Sequence, residues 1–344
     1  MALPGSGPIS LGNNTGDTTT ISANRELTKA SPYQQTISMN DSDLRTLAGV
    51  PSGTISFANL IGKAYTFFVS FAGGTNVDLR TTAIASGWDG VRPLVVTNTG
   101  NITSASTGSY ALTISGSFPN GVSFINNGTI VGRGGAGANG ASIDQTNSRG
   151  FWSGYPRYAA AGGAGGPALN AATAVTITNN GTIAGGGGGG GGGSGGAYQE
   201  NTKSGFVYIA LHGGGGGGGA GNGSAGSGIY WDHGTPVNPG DGGVGSVSAG
   251  GGGGGGQPYP NSGSYYRIYS GNGGSGGGYA ASGASGTSWY SPNGYSIGVN
   301  PSGGSWVWGG AGVPASAGGA GGAAVNGNGN ISWAATGTRY GSIT

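Results

Sequence analysis

The sequence predicts a mostly irregular and β chain in three parts. These are a small N-terminal helical module (1–64), a short β-rich connecting domain (65–131) and a polyglycine-II helix bundle carrying aromatic loops (132–344). Three observations predict it. Glycine supplies 87 of 344 residues and charged side chains only 6%, against about 7% and about a quarter in ordinary globular chains. Uninterrupted glycine runs occur at Gly185–Gly193, Gly213–Gly219 and Gly250–Gly256. Between glycine segments lie stretches that hold most of the 16 Tyr and 7 Trp, a complement that disordered chains ordinarily lack.

In the first part, "ISMNDSDLRTLAGVPSGTISFANLIGKAY" (37–65) predicts two short helices. Asn40 or Asp41 caps the first, and Leu44, Leu47 and Ala48 share a face at i, i+3 and i+4. Gly49 and Pro51 end it, and Phe57, Leu60 and Ile61 repeat the spacing in the second. Two readings stand: a self-contained helical hairpin, or a docking module whose thin core a partner completes. On the second, Leu44, Leu47, Phe57, Leu60 and Ile61 form the attachment face.

In the second part, "YTFFVSF", "PLVVTNTGNIT", "YALTISGSF" and "GVSFINNGTIVG" are β-branched and aromatic runs separated by Asn-Gly-type turns. One run recurs: 122–130 (VSFINNGTI) matches 175–183 (VTITNNGTI), and each leads directly into glycine. This is a repeat of a strand and a turn that launch a glycine segment.

In the third part, glycine segments fall near 132–140, 162–166, 185–196, 213–228, 240–256, 271–286 and 309–329. One run is a linker; seven separated by aromatic stretches are not. Ordering glycine costs roughly 0.5–1 kcal/mol more than alanine, so something must offset that loss residue by residue. A polyproline-II backbone can, because its N–H and C=O groups all point outward, three residues per turn. Packed backbone to backbone, glycine helices then hydrogen-bond in every direction. Gly185–Gly193 would span about 28 Å at that rise. Segments with Ala or Ser, such as 162–166 and 318–324, suit outer positions. The long segments 213–228 and 240–256 leave open whether each doubles back. A strictly up-and-down bundle groups the loops 142–159, 197–212 and 257–270 at one end, with 229–239 and 287–308 at the other.

Charge and motifs exclude several classes. A net charge of +2 is too small for a nucleic-acid footprint. No apolar run reaches the ~20 residues of a membrane span, so no membrane insertion is expected. "MALPGSGPIS" does not read as a secretory signal. With no Cys, thiolate metal sites are excluded, and His212 and His233 match no zinc motif. Gly62-Lys63-Ala64 fails the phosphate-loop pattern, and Asp41-Ser-Asp43 does not continue as a calcium loop. The expectation is no enzyme, no cofactor and no metal.

Stiff, amphipathic rings supply contact area at low entropy cost, which makes the aromatic stretches candidate receptor-binding loops. The contact candidates are Trp152 and Tyr155 in the first loop, and Tyr259, Tyr265, Tyr266, Arg267 and Tyr269 in the 257–270 loop. Trp289, Tyr290, Trp306 and Trp308 complete the set. The alternative for each ring is packing on the bundle's ends as core.

"MALPGSGPIS" with 37–64 resembles the N-terminal module of glycine-rich bacteriophage tail proteins. "NVDLRTTAIASGWDG" (76–90), 115–140 and "GNISWAATGTRYGSI" (329–343) look like further segments of that group. The C-terminal part is similar to the tail-fibre tip adhesins of T-even phages, where polyglycine helices carry variable receptor-binding loops. The resemblance implies a virion tail adhesin that binds a host cell-surface receptor, either a glycan or an outer-membrane protein. Its N-terminal module would hold a tail fibre or baseplate protein. A structural tail or head-decoration protein, whose loops contact neighbouring subunits, is the alternative. An ice-binding protein fits less well, because bulky loops replace a flat face of small residues. Receptor, attachment partner and oligomeric state stay open.

Overall fold

The computed structural model describes residues 39–40, 42–60, 66–148, 151–202, 205–228, 239–256, 258–260, 267–288 and 314–344. Near the N-terminus, α1 (Ser42–Ala48) is followed by a single 3-10 turn (Phe57–Leu60). Leu44, Ala48 and Leu60 are buried together, with Met39, Leu47, Val50 and Ile55 packed around them. Arg45 ties the following loop back, donating from its guanidinium to the carbonyls of Val50 and Gly53. Among the described residues the second expected helix is this one turn, at whose start Asn59 Oδ1 accepts from both the N–H and the hydroxyl of Ser56. Phe57 is 41% exposed rather than on the buried face with Leu60, and Ile61 lies outside the described residues.

From residue 66 the chain winds into parallel coils. β1 (Phe67–Thr75) and β2 (Val77–Asp78) begin the first. α2 (Leu79–Ala85) follows, a helix the sequence reading did not assign, although Asp78 caps it by accepting from the N–H of Thr81 at 2.7 Å. Leu79 and Ala83, i and i+4, are its buried face. β3 (Leu94–Thr103) and β4 (Leu112–Ile114) form the next coil, and β5 (Val122–Asn126) and β6 (Thr129–Val131) continue the winding. A hairpin of β7 (Ser142–Ser148) and β8 (Phe151–Arg157) intervenes. The winding resumes with β9 (Leu169–Ala171), β10 (Val175–Asn179) and β11 (Thr182–Ala184). After hairpins β12–β13 (Gly196–Thr202, Gly205–Leu211) and β14–β15 (Pro258–Pro260, Arg267–Tyr269), it ends with β16 (Val325–Asn326), β17 (Ile331–Ala335) and β18 (Thr338–Tyr340).

All pairing between coils is parallel. One sheet runs β1–β3–β5–β10–β17, with β6, β11 and β18 continuing from the other half of β3; a second runs β2–β4–β9–β16. Alternating residues fill the interior in columns. Leu94, Val122 and Val175 stack, as do Val96, Phe124 and Ile177, then Ile102, Ile130 and Ile183. The two recognised copies of the repeat are therefore neighbouring coils in register, Ile177 beside Phe124 and Ile183 beside Ile130.

The Asn-x-Gly element at each corner has two separate causes. Asn98, Asn126 and Asn179 are buried and hydrogen-bond in a line: Asn98 Nδ2 donates to Asn126 Oδ1, and Asn126 Nδ2 to Asn179 Oδ1, both at 2.8 Å. Asn179 Nδ2 ends the line on the carbonyl of Thr336 at 2.8 Å. The glycines permit the corners to stack. A Cβ at Gly100, Gly128 or Gly181 would lie 2.0 Å from the carbonyl oxygen of Ala72, Gly100 or Gly128 respectively.

A polar cluster closes the first coil. Arg92 is almost fully buried, its guanidinium 4.7 Å from the Phe67 ring centroid and its Nε 3.2 Å from Asp89 Oδ2. Burial pushes the Asp89 carboxyl up, but the N–H groups of Arg92 and Val91 both donate to it, and the outcome is a pKa lowered to about 2. A depressed carboxylate stabilises the fold above its unfolded pKa of roughly 3.9 and loses that contribution as pH falls through the folded value. In thermal melts across pH, Asp89→Asn is thus expected to be less stable than the parent at neutral pH and to converge on it as pH approaches 2.

Above the coils stands a hydrogen-bonded array of ten extended segments among the described residues: 132–141, 160–168, 185–194, 213–221, 223–228, 239–246, 250–256, 271–278, 281–287 and 316–323. Three of the expected seven segments double back, at 221–223, 246–249 and 278–281. The first reversal places Gly221 and Asn222 at positive φ, the last Ala280. The pattern of bonds repeats every three residues. From Gly186 to Gly191 the N–H groups donate in turn to Gly166, Ala220, Ala281, Gly163, Gly217 and Ala284. The carbonyls accept in turn from Gly322, Gly135, Gly277, Gly319, Ala138 and Gly274, and all twelve bonds are 2.7–2.9 Å. Segment 185–194 thus has six neighbours, as has 213–221. These contain two of the three pure glycine runs. Ala164, Ala317 and Ala320, in segments with fewer neighbours, are exposed.

Candidate functional site

The hydrogen bonds fix where the aromatic stretches leave the array. At one end, Ala141 donates to Gly193, Gly213 to Ala141 and Gly214 to Gly271. Ser194 donates to Thr287, Thr287 to Asn272, and Gly256 to Asn272 Oδ1. Gly240 bonds Gly255, Ser227 bonds Asn139 Oδ1, and Ser316 joins Ala160 and Gly192. Residues flanking all five aromatic stretches therefore share this end. At the other end the chain either enters a coil, as Val131 to Gly132 and Ala184 to Gly185, or makes one of the three tight reversals.

This corrects the expected grouping of loops. The stretches 229–238 and 289–313 themselves lie outside the described residues, but Gly228, Pro239, Ser288 and Pro314, which flank them, belong to the same end as the hairpins. The grouping failed because the three reversals each add a segment, so that every aromatic stretch joins an outgoing segment to a returning one.

Three hairpins at this end, β7–β8, β12–β13 and β14–β15, are paired in register. Trp152 pairs with Asn147 and Tyr155 with Asp144 in β7–β8, and β7 runs alongside both β12 and β13. In β14–β15, Tyr259 pairs with Ile268, Arg267 with Pro260 and Tyr269 with Pro258. The fold brings these five candidates to one end of the array. Tyr265, Tyr266, Trp289, Tyr290, Trp306 and Trp308 lie outside the described residues. Beneath the hairpins, Ser194, His212 and Ser270 are buried, with the Ser270 hydroxyl donating to the His212 carbonyl at 2.7 Å. Among the described residues no group of His, Asp and Glu could hold a metal ion, and no helix is long and apolar enough to cross a membrane.

A family model described as phage tail fibre adhesin Gp38 matches residues 66–344. The chain belongs to this family. It is thus a phage tail adhesin, a component of the virion tail that serves host attachment. The match starts where the coils start and takes in coils, array and hairpins alike. No curated protein sequence matches the adhesin. A solved structure, the gp37–gp38 adhesin tip complex of the bacteriophage S16 long tail fibre, is similar over 88% of this chain and 92% of its own, at 19% identity and a TM-score of 0.43.

Proposed function

We propose that this adhesin binds a host cell-surface receptor, a glycan or an outer-membrane protein, through aromatic loops held at one end of a polyglycine-II bundle. The observation that carries the reading is the convergence of all five loop attachments on one end of the array. The polyglycine-II assignment rests on the three-residue period of the bonds and on their running only between segments, as expected of a helix with three residues per turn and no internal hydrogen bonds. Rigid support matters because a loop anchored at both ends to a stiff scaffold loses less entropy on binding. The contact residues we assign are Tyr259, Tyr265, Tyr266, Arg267 and Tyr269, with Trp152, Tyr155, Trp289, Tyr290, Trp306 and Trp308.

On this reading the chain divides near residue 64, whereas the boundary expected near residue 131 does not separate two folding units, because β9, β10 and β11 pair with β4, β5 and β6 around one core. The family match beginning at 66 and a buried cluster of Leu44, Ala48 and Leu60 apart from the main core support the first division. The N-terminal module holds a tail fibre or baseplate protein through Leu47, Phe57 and Ile61, whereas Leu44 and Leu60, expected on the same face, are fully buried in the module's own core; the exposure of Phe57 suits a side chain kept for a partner.

The test is binding of the purified protein to host cells, with competition against adsorption of intact phage. A variant with Tyr265, Tyr266 and Tyr269 changed to Ser is expected to bind about tenfold or more weakly, as removal of central aromatic anchors does. A folded parent that neither binds nor competes would return the loops to subunit contacts in a structural tail or head-decoration protein.

A further inference from the structure

On the array, one groove of about 390 Å³ has chemistry that the scaffold does not use. It lies where segments 132–141, 160–168 and 223–228 meet the turn after β3, and it is lined by Arg133, Ser106, Thr107, Ala136, Ala164 and Ser224 among others. Arg133 is the one cation in the ten segments of the array, which are built mainly of glycine, alanine and serine. Its backbone carbonyl serves the array, accepting from Gly166. Its side chain does not: Arg133 is half-buried, lines the groove, and its guanidinium has no hydrogen bond or ion pair among the described residues.

A half-buried arginine with no partner has donors to spare, and charge-assisted hydrogen bonds to an anion are the strongest use of them. Around it stand three hydroxyl side chains, Ser106, Thr107 and Ser224, of which Ser106 also bonds Ser109 at 2.9 Å. The amides of Ala136 and Ala164 donate to no described residue, because the three-residue period turns them away from the neighbouring segments. No acidic side chain lines the groove. One fixed positive charge, several hydroxyls, free amides and small methyl groups together match a pyranose that carries a single oxyanion.

The geometry points to a binding site in which Arg133 pairs with the carboxylate or phosphate of an acidic sugar, while Ser106, Thr107 and Ser224 meet its hydroxyls. The site is independent of the terminal loops, and it gives the adhesin a second, weaker hold on an anionic cell surface.

Calorimetric titration with glucuronic acid, glucose 6-phosphate and glucose tests it. At least one acidic sugar is expected to bind about tenfold or more tightly than glucose, since charge-assisted hydrogen bonds are the strong ones. The better of the two identifies carboxylate or phosphate as the group held. Arg133→Gln is expected to abolish the preference while keeping the parent's melting temperature, because the guanidinium makes no hydrogen bond or ion pair among the described residues. Ala164→Glu, at an exposed lining position, is expected to abolish it by repulsion. The change of Tyr265, Tyr266 and Tyr269 to Ser is expected to leave it intact. Equal binding of acidic and neutral sugars by the parent, or a preference that survives Arg133→Gln, overturns the assignment.

Discussion

Gly190→Ala is expected to destabilise the array by about 3 kcal/mol or more, whereas Gly252→Ala is expected to be neutral or mildly stabilising. Both lie in pure glycine runs, and sequence alone gives no reason to separate them. A Cβ at Gly190 would sit 2.0 Å from the carbonyl oxygen of Gly274, a residue whose N–H donates to the Gly191 carbonyl. No flexible side chain can move aside, since the obstacle is backbone held on every side. Overpacking a core typically costs about 1–3 kcal/mol, and here relief requires two segments to separate and to break their shared hydrogen bonds. At Gly252 the same atom meets nothing within 4 Å. There the change removes only unfolded-state freedom, which stabilises by about 0.4–1 kcal/mol at compatible positions. Thermal unfolding followed by circular dichroism separates the two by sign, not merely by size. Equal melting temperatures would refute the arrangement of neighbours around segment 185–194.

The same contrast shows what a glycine count can and cannot say. The runs at Gly185–Gly193 and Gly213–Gly219 were legible as packed scaffold, because the entropy cost of ordering so much glycine demands contact on all sides. The run at Gly250–Gly256 looks alike, yet Gly252 and Gly255 face open space. Which run lies inside is decided by hydrogen bonds between segments many residues apart, and composition does not carry that information.

The coils were half legible. Alternation in 94–98, 122–126 and 175–179 marks strands with one buried face. Asn-Gly between two β runs, however, is ordinarily a signal for chain reversal, and here it marks a corner at which direction around the coil changes while the sheets stay parallel. Two copies of the corner were visible, at Asn126-Asn-Gly128 and Asn179-Asn-Gly181. Asn98-Thr-Gly100 and Ala335-Thr-Gly337 turn the corresponding corners, but with Thr in place of the second Asn. The last keeps the glycine, whose Cβ would lie 2.4 Å from the Asn179 carbonyl oxygen, and drops the asparagine. Thr336 and Thr338 carbonyls accept from Asn179 instead. Helix α2 escaped notice because seven residues give too short a periodicity, and only the Asp78 cap announced it. As for the loops, their residue types named them as candidates, but their common end came from three reversals that glycine-rich sequence does not mark.

Asn126→Ala is expected to cost about 2–5 kcal/mol, because it strands partners on both sides. Asn98 Nδ2 would keep only the Gly100 carbonyl, at 2.9 Å, and Asn179 Oδ1 would lose its donor at 2.8 Å. A buried group left unsatisfied costs about 1–3 kcal/mol, and the side chain also leaves a void. Asn126→Asp distinguishes a hydrogen-bond effect from a packing effect, since it keeps the shape. Ionised, the aspartate can accept from Asn98 but cannot donate to Asn179, and it places an unpaired charge at a fully buried position. Burial raises its folded pKa above the unfolded value of roughly 3.9. The folded state then binds more protons than the unfolded one, so stability rises as pH falls through the folded pKa, and the protonated acid regains a donor. Asn126→Asp is therefore expected to gain stability relative to the parent on acidification, whereas Asn126→Ala is not. Denaturant titrations at pH 7 and pH 4 measure both. A cost below about 0.5 kcal/mol for Asn126→Ala, the range of ordinary surface changes, would mean that the corners are held by the stacked glycines and not by the asparagine line.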